Sequence, residues 1–180
     1  MDGNGRWAKK RFLPRIAGHK KGLDSLGVII KLAITYNITT ATLYAFSTEN
    51  WNRPSEEING LMDLFSDSID SQTDKLITNN IRVRILGDIS IFTNELQAKI
   101  KVLITKSSKN TGLKLNIALN YGARSEILMA VNKAIKEKSG SLLEQDLTDN
   151  LYTRDMPDVD LLIRTGGQRR LSNFLLWQVA

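Results

Sequence analysis

Five short stretches of this 180-residue chain combine glycine or asparagine with arginine or an acid, each at a point where apolar patterning stops. They are Asp2-Gly3-Asn4-Gly5-Arg6, Ser47-Thr48-Glu49-Asn50-Trp51-Asn52-Arg53, Gly87-Asp88, Asn120-Tyr121-Gly122-Ala123-Arg124 and Arg164-Thr165-Gly166-Gly167. Four of the five carry arginine. A guanidinium forms paired, charge-assisted bonds to phosphate oxygens, and turns rich in glycine expose backbone N–H groups that do the same. Their common chemistry is the binding of phosphorylated ligands.

Taken singly, each stretch has an ordinary reading. Asp-Gly-Asn-Gly is turn chemistry, because Gly and Asn tolerate positive φ, and it matches neither common phosphate-loop fingerprint. Asn50-Trp51 reads as a loop with a packed aromatic, and Arg164-Thr165-Gly166-Gly167 as a turn. His19, the one histidine, sits in Gly18-His19-Lys20-Lys21 at the start of an expected helix and reads as a surface residue. What favours a functional reading is that four of the stretches fall where the elements predict a single rim, with the first joining them if a strand precedes it.

Those elements follow from periodicity. Leu23, Leu26, Ile30, Ala33 and Ile34 recur at helical spacing within residues 18–37. Residues 41–46 are β-branched and aromatic and read as a strand. Pro54, Ser55, Glu56 and Glu57 start a helix whose apolar positions run from Ile58 to Leu76. Ile81, Val83 and Ile85 alternate with Arg82 and Arg84, the pattern of an edge strand. Leu96, Ile100, Leu103 and Ile104 mark a helix, Leu113 to Leu119 an alternating strand, and residues 124–138 a helix. A weaker helix is expected over 145–152, a strand over 159–164, and a helical beginning over 173–180. Strands alternating with long helices predict an α/β fold with an open, mostly parallel sheet flanked by helices. In such a sheet ligands bind beyond the carboxyl ends of the strands, which is where four of the five stretches fall; Asp2 to Arg6 joins them if a strand precedes it.

Composition removes competing classes. Lys and Arg number 25 against 19 Asp and Glu, a net charge of +6, and 42% of residues are apolar. With no cysteine, disulfide scaffolds, thiol nucleophiles and cysteine-ligated metals are excluded. The longest apolar run, Ile127 to Val131, is far short of the roughly 20 residues of a membrane span. The charge admits nucleic acid, an anionic membrane or a phosphorylated small molecule. No basic stripe with interleaved aromatics is present, so nucleic acid is not an expected partner.

Together the stretches resemble the signatures of the cis-prenyltransferases, the undecaprenyl diphosphate synthases (isoprenyl transferases) most of all. Met1-Asp2-Gly3-Asn4-Gly5-Arg6-Trp7-Ala8 is similar to the first signature, and Tyr44 through Pro54 to the second. Arg164-Thr165-Gly166-Gly167 with Arg170-Leu171-Ser172-Asn173-Phe174-Leu175 is similar to the third, and residues 116–122 also match. The resemblance implies one catalytic domain over 1–180 that elongates farnesyl diphosphate with isopentenyl diphosphate, using Mg²⁺, as a cytoplasmic homodimer touching the membrane peripherally. It implies that Asp2 positions Mg²⁺ and that Gly3, Asn4, Gly5, Arg6, Arg15 and His19 hold the allylic diphosphate, with Trp7 beside it. Ser47, Thr48 and Glu49 would line the second loop, supported by Trp51 and Arg53. Asn50 would assist proton removal by orienting the acceptor, since an amide is a poor base. Arg164, Arg170, Leu171 and Ser172 would bind isopentenyl diphosphate, while Ala45, Met62, Phe65 and Leu113 would bound the product chain.

Family members also carry a strand before the first signature and a Glu-bearing segment beyond the last, so the chain is expected to be incomplete at both ends. Gln168 stands where an acid is usual, Arg169 at a variable position, and Ala123 where Gly is usual. A noncatalytic relative that keeps the fold is the alternative these departures raise.

Overall fold

The computed structural model describes residues 2–180; Met1, which opens the first signature, lies outside them. The elements are α1 (Asn4–Lys9), α2 (Arg15–Thr35), β1 (Thr40–Ser47), a 3₁₀ turn (Thr48–Asn52) and α3 (Ser55–Thr78). After these come β2 (Arg82–Leu86), α4 (Asn94–Ser107), β3 (Lys114–Tyr121), α5 (Ala123–Glu137) and α6 (Glu144–Thr148). The three strands form one parallel sheet in the order β1-β3-β2, so β2 is an edge, as its alternating arginines predict.

Both faces of the sheet are covered. Leu113, Leu115 and Leu119 project from β3 toward α2, α3 and α4, meeting Ala33, Leu61, Leu96, Ile100 and Leu103 in two adjoining clusters. On the opposite face Ala118 and Tyr121 pack with Leu86, Phe174 and Leu175, and α5, α6 and Trp177 close that side. The central strand therefore buries its alternate residues as well. Asn116 there is fully buried and donates from Nδ2 to Thr42 Oγ1 at 3.1 Å. Removing such area from water contributes roughly 25 cal/mol per Å² of apolar surface.

Register brings the strand ends together. Thr40 pairs with Lys114 and Ser47 with Tyr121, while Leu86 of β2 pairs with Ala118. The register moves between Tyr44 and Phe46, so Ala45 is an extra residue that bends the end of β1. The 3₁₀ turn, Gly87-Asp88 and Asn120-Tyr121-Gly122 consequently share one rim.

Four expectations need correction. Residues 4–9 form α1 rather than a plain turn. The helix after Leu143 is only Glu144–Thr148. Residues 159–164 make no ladder among the described residues: Leu161 and Ile163 are 73% and 74% exposed, the chain bends at Asp160, and one backbone bond, Val159 N–H to Gln178 O at 3.0 Å, holds the segment's start. Apolar spacing marks a segment that can pair; pairing also needs a free edge alongside. Residues 173–180 make one turn, Val179 N–H to Leu175 O at 3.1 Å, and not a helix. Ser172, Asn173 and Leu175 stand at φ of 53°, 60° and 45°, which no right-handed helix can contain.

Candidate active site

The first and third signatures form one unit. Asp2 Oδ1 accepts from the Gly3 amide at 2.6 Å and from Arg6 Nη2 at 3.4 Å. Its Oδ2 accepts from Arg164 Nη2 at 3.1 Å and Nε at 3.4 Å, across 162 positions of sequence. The backbone is tied in the same place, because the Thr165 hydroxyl accepts from Asp2 N–H at 3.1 Å and donates to Asp2 O at 2.7 Å. Glycine is required at this crossing. Gly166 has φ +84°, and a Cβ there would lie 2.7 Å from Arg6 Nη2.

Burial of the Asp2 carboxyl opposes its charge. The Arg164 hydrogen bond, the Gly3 amide and the charges of Arg164 and Arg6 outweigh that burial and hold its pKa below the usual 3.8. Arg164 Nη1 also donates to Ser172 Oγ at 2.8 Å and to the Arg170 carbonyl, while Arg170 Nη1 reaches Gln168 Oε1 at 2.7 Å. Leu171, between them, is half-buried and adds no polar side chain.

α1 lies across α2 where α2 has no side chains. A Cβ on Gly18 would fall 2.0 Å from Asn4 O, and one on Gly22 would fall 2.6 Å from Asn4 Nδ2. The crossing leaves a cleft of about 300 Å³ lined by Asp2, Gly3, Asn4, Trp7, Lys21, Ser25 and Gly166. The first-turn amides of α1 have no intrahelical partner, so Asn4, Gly5 and Arg6 offer N–H donors at the base of this loop. The Arg15 guanidinium passes close over Gly5, 3.1 Å from where a Cβ would sit.

The second signature caps itself. Ser47 N–H donates to Asn50 Oδ1 at 3.1 Å, which commits the carbonyl of that amide. Trp51 Nε1 donates to Asn120 Oδ1 at 2.8 Å and its ring lies edge-on to Phe46, so this tryptophan is a structural anchor. Asn173 Nδ2 donates to Glu49 Oε1 at 2.7 Å, joining the second loop to the third signature. Burial raises the Glu49 pKa, but the hydrogen bonds from Asn173, Ser47 and Thr48 and a backbone amide bring it below the usual value. Thr48 borders a second cleft, of about 210 Å³, with Asp88, Asn120, Ser125, Glu126 and Tyr152.

Sequence reasoning missed the residue that gathers the remaining cations. Glu57 Oε1 accepts from Arg53 Nη1 at 2.9 Å and pairs with Arg15 Nε at 3.2 Å, with His19 Nε2 3.9 Å away. The helix-start rule explained this acid by the dipole alone; its two arginines become visible only when α2 packs on α3. His19 is not the surface residue expected. It is largely buried, its Nε2 has no hydrogen-bond partner, and burial together with the Arg53 and Arg15 charges keeps the imidazole neutral by lowering its pKa.

The donor set for a cation is small. Among the described residues no three His, Asp or Glu side chains gather into a metal nest. Asp2 stands alone beside the cleft, which suits an ion held by one or two carboxylates and completed by substrate phosphate oxygens and water, as Mg²⁺ is.

The sequence profile of the prenyltransferase family of undecaprenyl diphosphate synthases matches residues 1–180. An isoprenyl transferase of Chromobacterium violaceum is 50% identical over the whole chain, which covers 72% of that protein. A ditrans,polycis-undecaprenyl-diphosphate synthase ((2E,6E)-farnesyl-diphosphate specific) of Photorhabdus laumondii is 47% identical, with 73% of its length covered. Among solved structures, lavandulyl diphosphate synthase from Lavandula x intermedia, in complex with dimethylallyl diphosphate, superposes with a TM-score of 0.94 at 32% identity. That alignment covers 99% of this chain and 80% of the lavender one. A probable undecaprenyl diphosphate synthase from Campylobacter jejuni gives 0.82 at 39% identity, covering 88% and 76%. Sequence and fold agree, and the chain belongs to the undecaprenyl diphosphate synthase family of prenyltransferases.

Proposed function

We propose that this chain condenses isopentenyl diphosphate in cis onto farnesyl diphosphate to build a long polyprenyl diphosphate, undecaprenyl diphosphate for a cell-wall lipid carrier. The observation that carries this reading is the Asp2 carboxylate, held between Gly3, Arg6 and Arg164 beside a cleft with exposed amides and cations. Breaking the allylic C–O bond leaves a carbocation and a diphosphate, so the site must stabilise negative charge as it develops on the leaving oxygens. The amides of Asn4, Gly5 and Arg6 and the side chains of Arg6, Arg15 and Lys21 are placed to do so. Mg²⁺, when bound, would neutralise diphosphate oxygens as a Lewis acid, and Asp2 is the residue that would hold it. Arg164, Arg170 and Ser172 would grip the diphosphate of isopentenyl diphosphate. Asn50, its carbonyl spent on Ser47, would use its NH₂ to orient the group that takes the proton. His19, buried and neutral, supports Glu57 and its arginines.

The product is a membrane lipid. No helix among the described residues is long and apolar enough to cross a membrane, and the proposed contact is peripheral, made from the cytoplasm by a homodimer.

The direct test incubates the folded chain with farnesyl diphosphate, labelled isopentenyl diphosphate and Mg²⁺, and scores butanol-extractable label by chain length. A ladder of long products that disappears with a chelator supports the proposal. Absence of product from demonstrably folded protein overturns it.

Two further results are expected. Glu57→Gln keeps the shape and removes the charge that collects Arg15 and Arg53, so kcat/KM should fall roughly tenfold, the scale of one lost charge-assisted contact. A Michaelis–Menten comparison that finds no change would show that the guanidiniums hold their places without it. Leu113 immediately precedes β3, about 25 Å from the rim at the strand rise per residue. It belongs to the cluster next to that of Ala45, Met62 and Phe65, and Ile69 packs against both. Leu113→Ala opens space at that depth, at a cost of about 2–5 kcal/mol, and should lengthen the products. An unaltered ladder from the folded variant removes Leu113 from the channel wall.

A further inference from the structure

The turn after α1 presents an aromatic ring to solvent under backbone strain. Leu13 N–H bonds to Ala8 O at 3.0 Å and Phe12 N–H to Lys9 O at 3.2 Å, the pair of bonds that ends a helix in a Schellman motif. That motif places its pivot residue in the left-handed region, where glycine is preferred; here the pivot is Phe12, at φ 56°. Its side chain gains nothing from the fold in return, being 99% exposed, with Leu13 beside it at 44%.

Charge is concentrated in the same part of the molecule. Residues 2–35 contain eight Lys and Arg and two Asp, and the remainder of the chain contains seventeen basic and seventeen acidic residues, so the whole net charge of +6 falls on α1, α2 and the turn between them. Lys9, Lys10 and Arg11 immediately precede Phe12 and are exposed. Among the described residues no carboxylate pairs with these three. The nearby acids are committed elsewhere: Asp2 to Arg164, Asp24 to Lys21 and Glu57 to Arg15 and Arg53. Arg11 instead stacks on Trp7, 4.3 Å from the ring centroid, and Trp7 lines the 300 Å³ cleft.

We propose that the Lys9–Leu13 turn is a membrane-docking tip, inserting Phe12 and Leu13 into the interface of an anionic bilayer while Lys9, Lys10 and Arg11 lie at headgroup level. An apolar anchor and a basic cluster are the two signals that together hold a peripheral protein on an anionic surface, and neither suffices alone. The tip adjoins the cleft through Trp7 and Arg11. The assignment deepens the reading that the product is a membrane lipid and rests on it for its purpose.

Co-sedimentation of the full chain with vesicles needs no turnover, so its failure and the failure of the synthase reading are separate results. Binding to phosphatidylcholine vesicles containing about one third phosphatidylglycerol should exceed binding to pure phosphatidylcholine roughly tenfold and weaken with salt. Phe12→Gly should lower the anionic partition coefficient about tenfold, and Lys10→Gln about fivefold. Phe12→Gly should also melt no lower than the parent, since glycine accepts the backbone angle. Equal binding to neutral and anionic vesicles, or equal binding by Phe12→Gly and the parent, overturns the proposal. So does self-association abolished by Phe12→Gly in a chain that ignores vesicles, which would make the tip a contact between copies.

Discussion

Asp2→Ala is expected to lower kcat about a thousandfold while the protein remains folded. The side chain is one-third exposed and its loss creates no core cavity, so the stability lost is limited to that of its contacts with Arg164, Arg6 and the Gly3 amide. Arg6 and Arg164, released from the carboxylate, remain to attract diphosphate, and the KM for farnesyl diphosphate should stay level or fall. What is lost is the carboxylate proposed to hold Mg²⁺ beside the cleft, an effect of the size seen when a single preorganised electrostatic group is removed. Asp2→Asn separates charge from shape, because it keeps one acceptor oxygen, for Gly3 or for Arg164 but not for both, and loses the negative charge; it too should fall by at least a hundredfold, on the order of a lost electrostatic donor. Steady-state kinetics with labelled isopentenyl diphosphate make the measurement. Less than a tenfold loss in both variants would take Asp2 out of the chemistry. The pH dependence has a defined sign. The Asp2 pKa is lowered by folding, so its contribution to stability is present above the unfolded value of about 3.8 and is lost as the pH falls through the lower folded value.

Glu126→Ala should produce the largest loss of stability. Glu126 is 1% exposed and joins three distant parts of the chain on the far side of the sheet. Tyr121 at the end of β3 donates its hydroxyl to Oε2 in a short bond, Gln178 Nε2 donates to the same oxygen at 3.1 Å, and the Tyr152 amide donates to Oε1 at 2.8 Å. Burial first, and the Glu126 charge and hydrogen bond with it, push the Tyr121 phenol far up, so it remains a donor. Truncation removes the acceptor of the Tyr121 hydroxyl and of the Tyr152 amide, and one of the two acceptors of Gln178 Nε2, which keeps Thr153 Oγ1 at 2.9 Å, at about 1–3 kcal/mol for each bond lost. A total near 4 kcal/mol should lower the melting temperature roughly 10–15 °C for a chain of this size. Glu126→Gln keeps an acceptor for Tyr152 and should cost less than half as much. Thermal and urea unfolding test both; a change below about 1 kcal/mol for the alanine variant would mean that water replaces the carboxylate at little cost.

Much of the scaffold was legible from the chain. Apolar spacing located α2, α3, α4 and α5 and all three strands to within a few residues, and the arginines of β2 declared it an edge. The errors fall where local pattern and global pairing separate. Residues 159–164 have the composition of a strand, but a strand is a relation between two segments, and no ladder forms there among the described residues. Residues 173–180 have apolar helical spacing, but the positive φ values at Ser172, Asn173 and Leu175 turn the chain so that Phe174 stacks on Tyr44. α1 was hidden because its Gly3 cap and the Asn4 and Gly5 of its first turn read as turn residues, while its stability comes from the glycine-lined crossing with α2.

The sequence by itself determined the inventory: the phosphate-seeking loops, the absence of cysteine chemistry, the parallel α/β class and the signatures of the family. Those properties depend on residue type and short-range spacing, which a linear string carries whole. The tertiary structure decided the partnerships. Arg164 could be named as a diphosphate ligand, but not as the group that clamps Asp2; Glu57 could be named as a helix-start acid, but not as the collector of Arg15 and Arg53; His19 looked exposed and is largely buried, its Nε2 fully so. Each of these turns on which distant segments three parallel strands and their crossing helices deliver to the same rim. Side-chain charge acts over a few ångströms of space, and spatial neighbours of that kind are set by packing and strand register rather than by order along the chain.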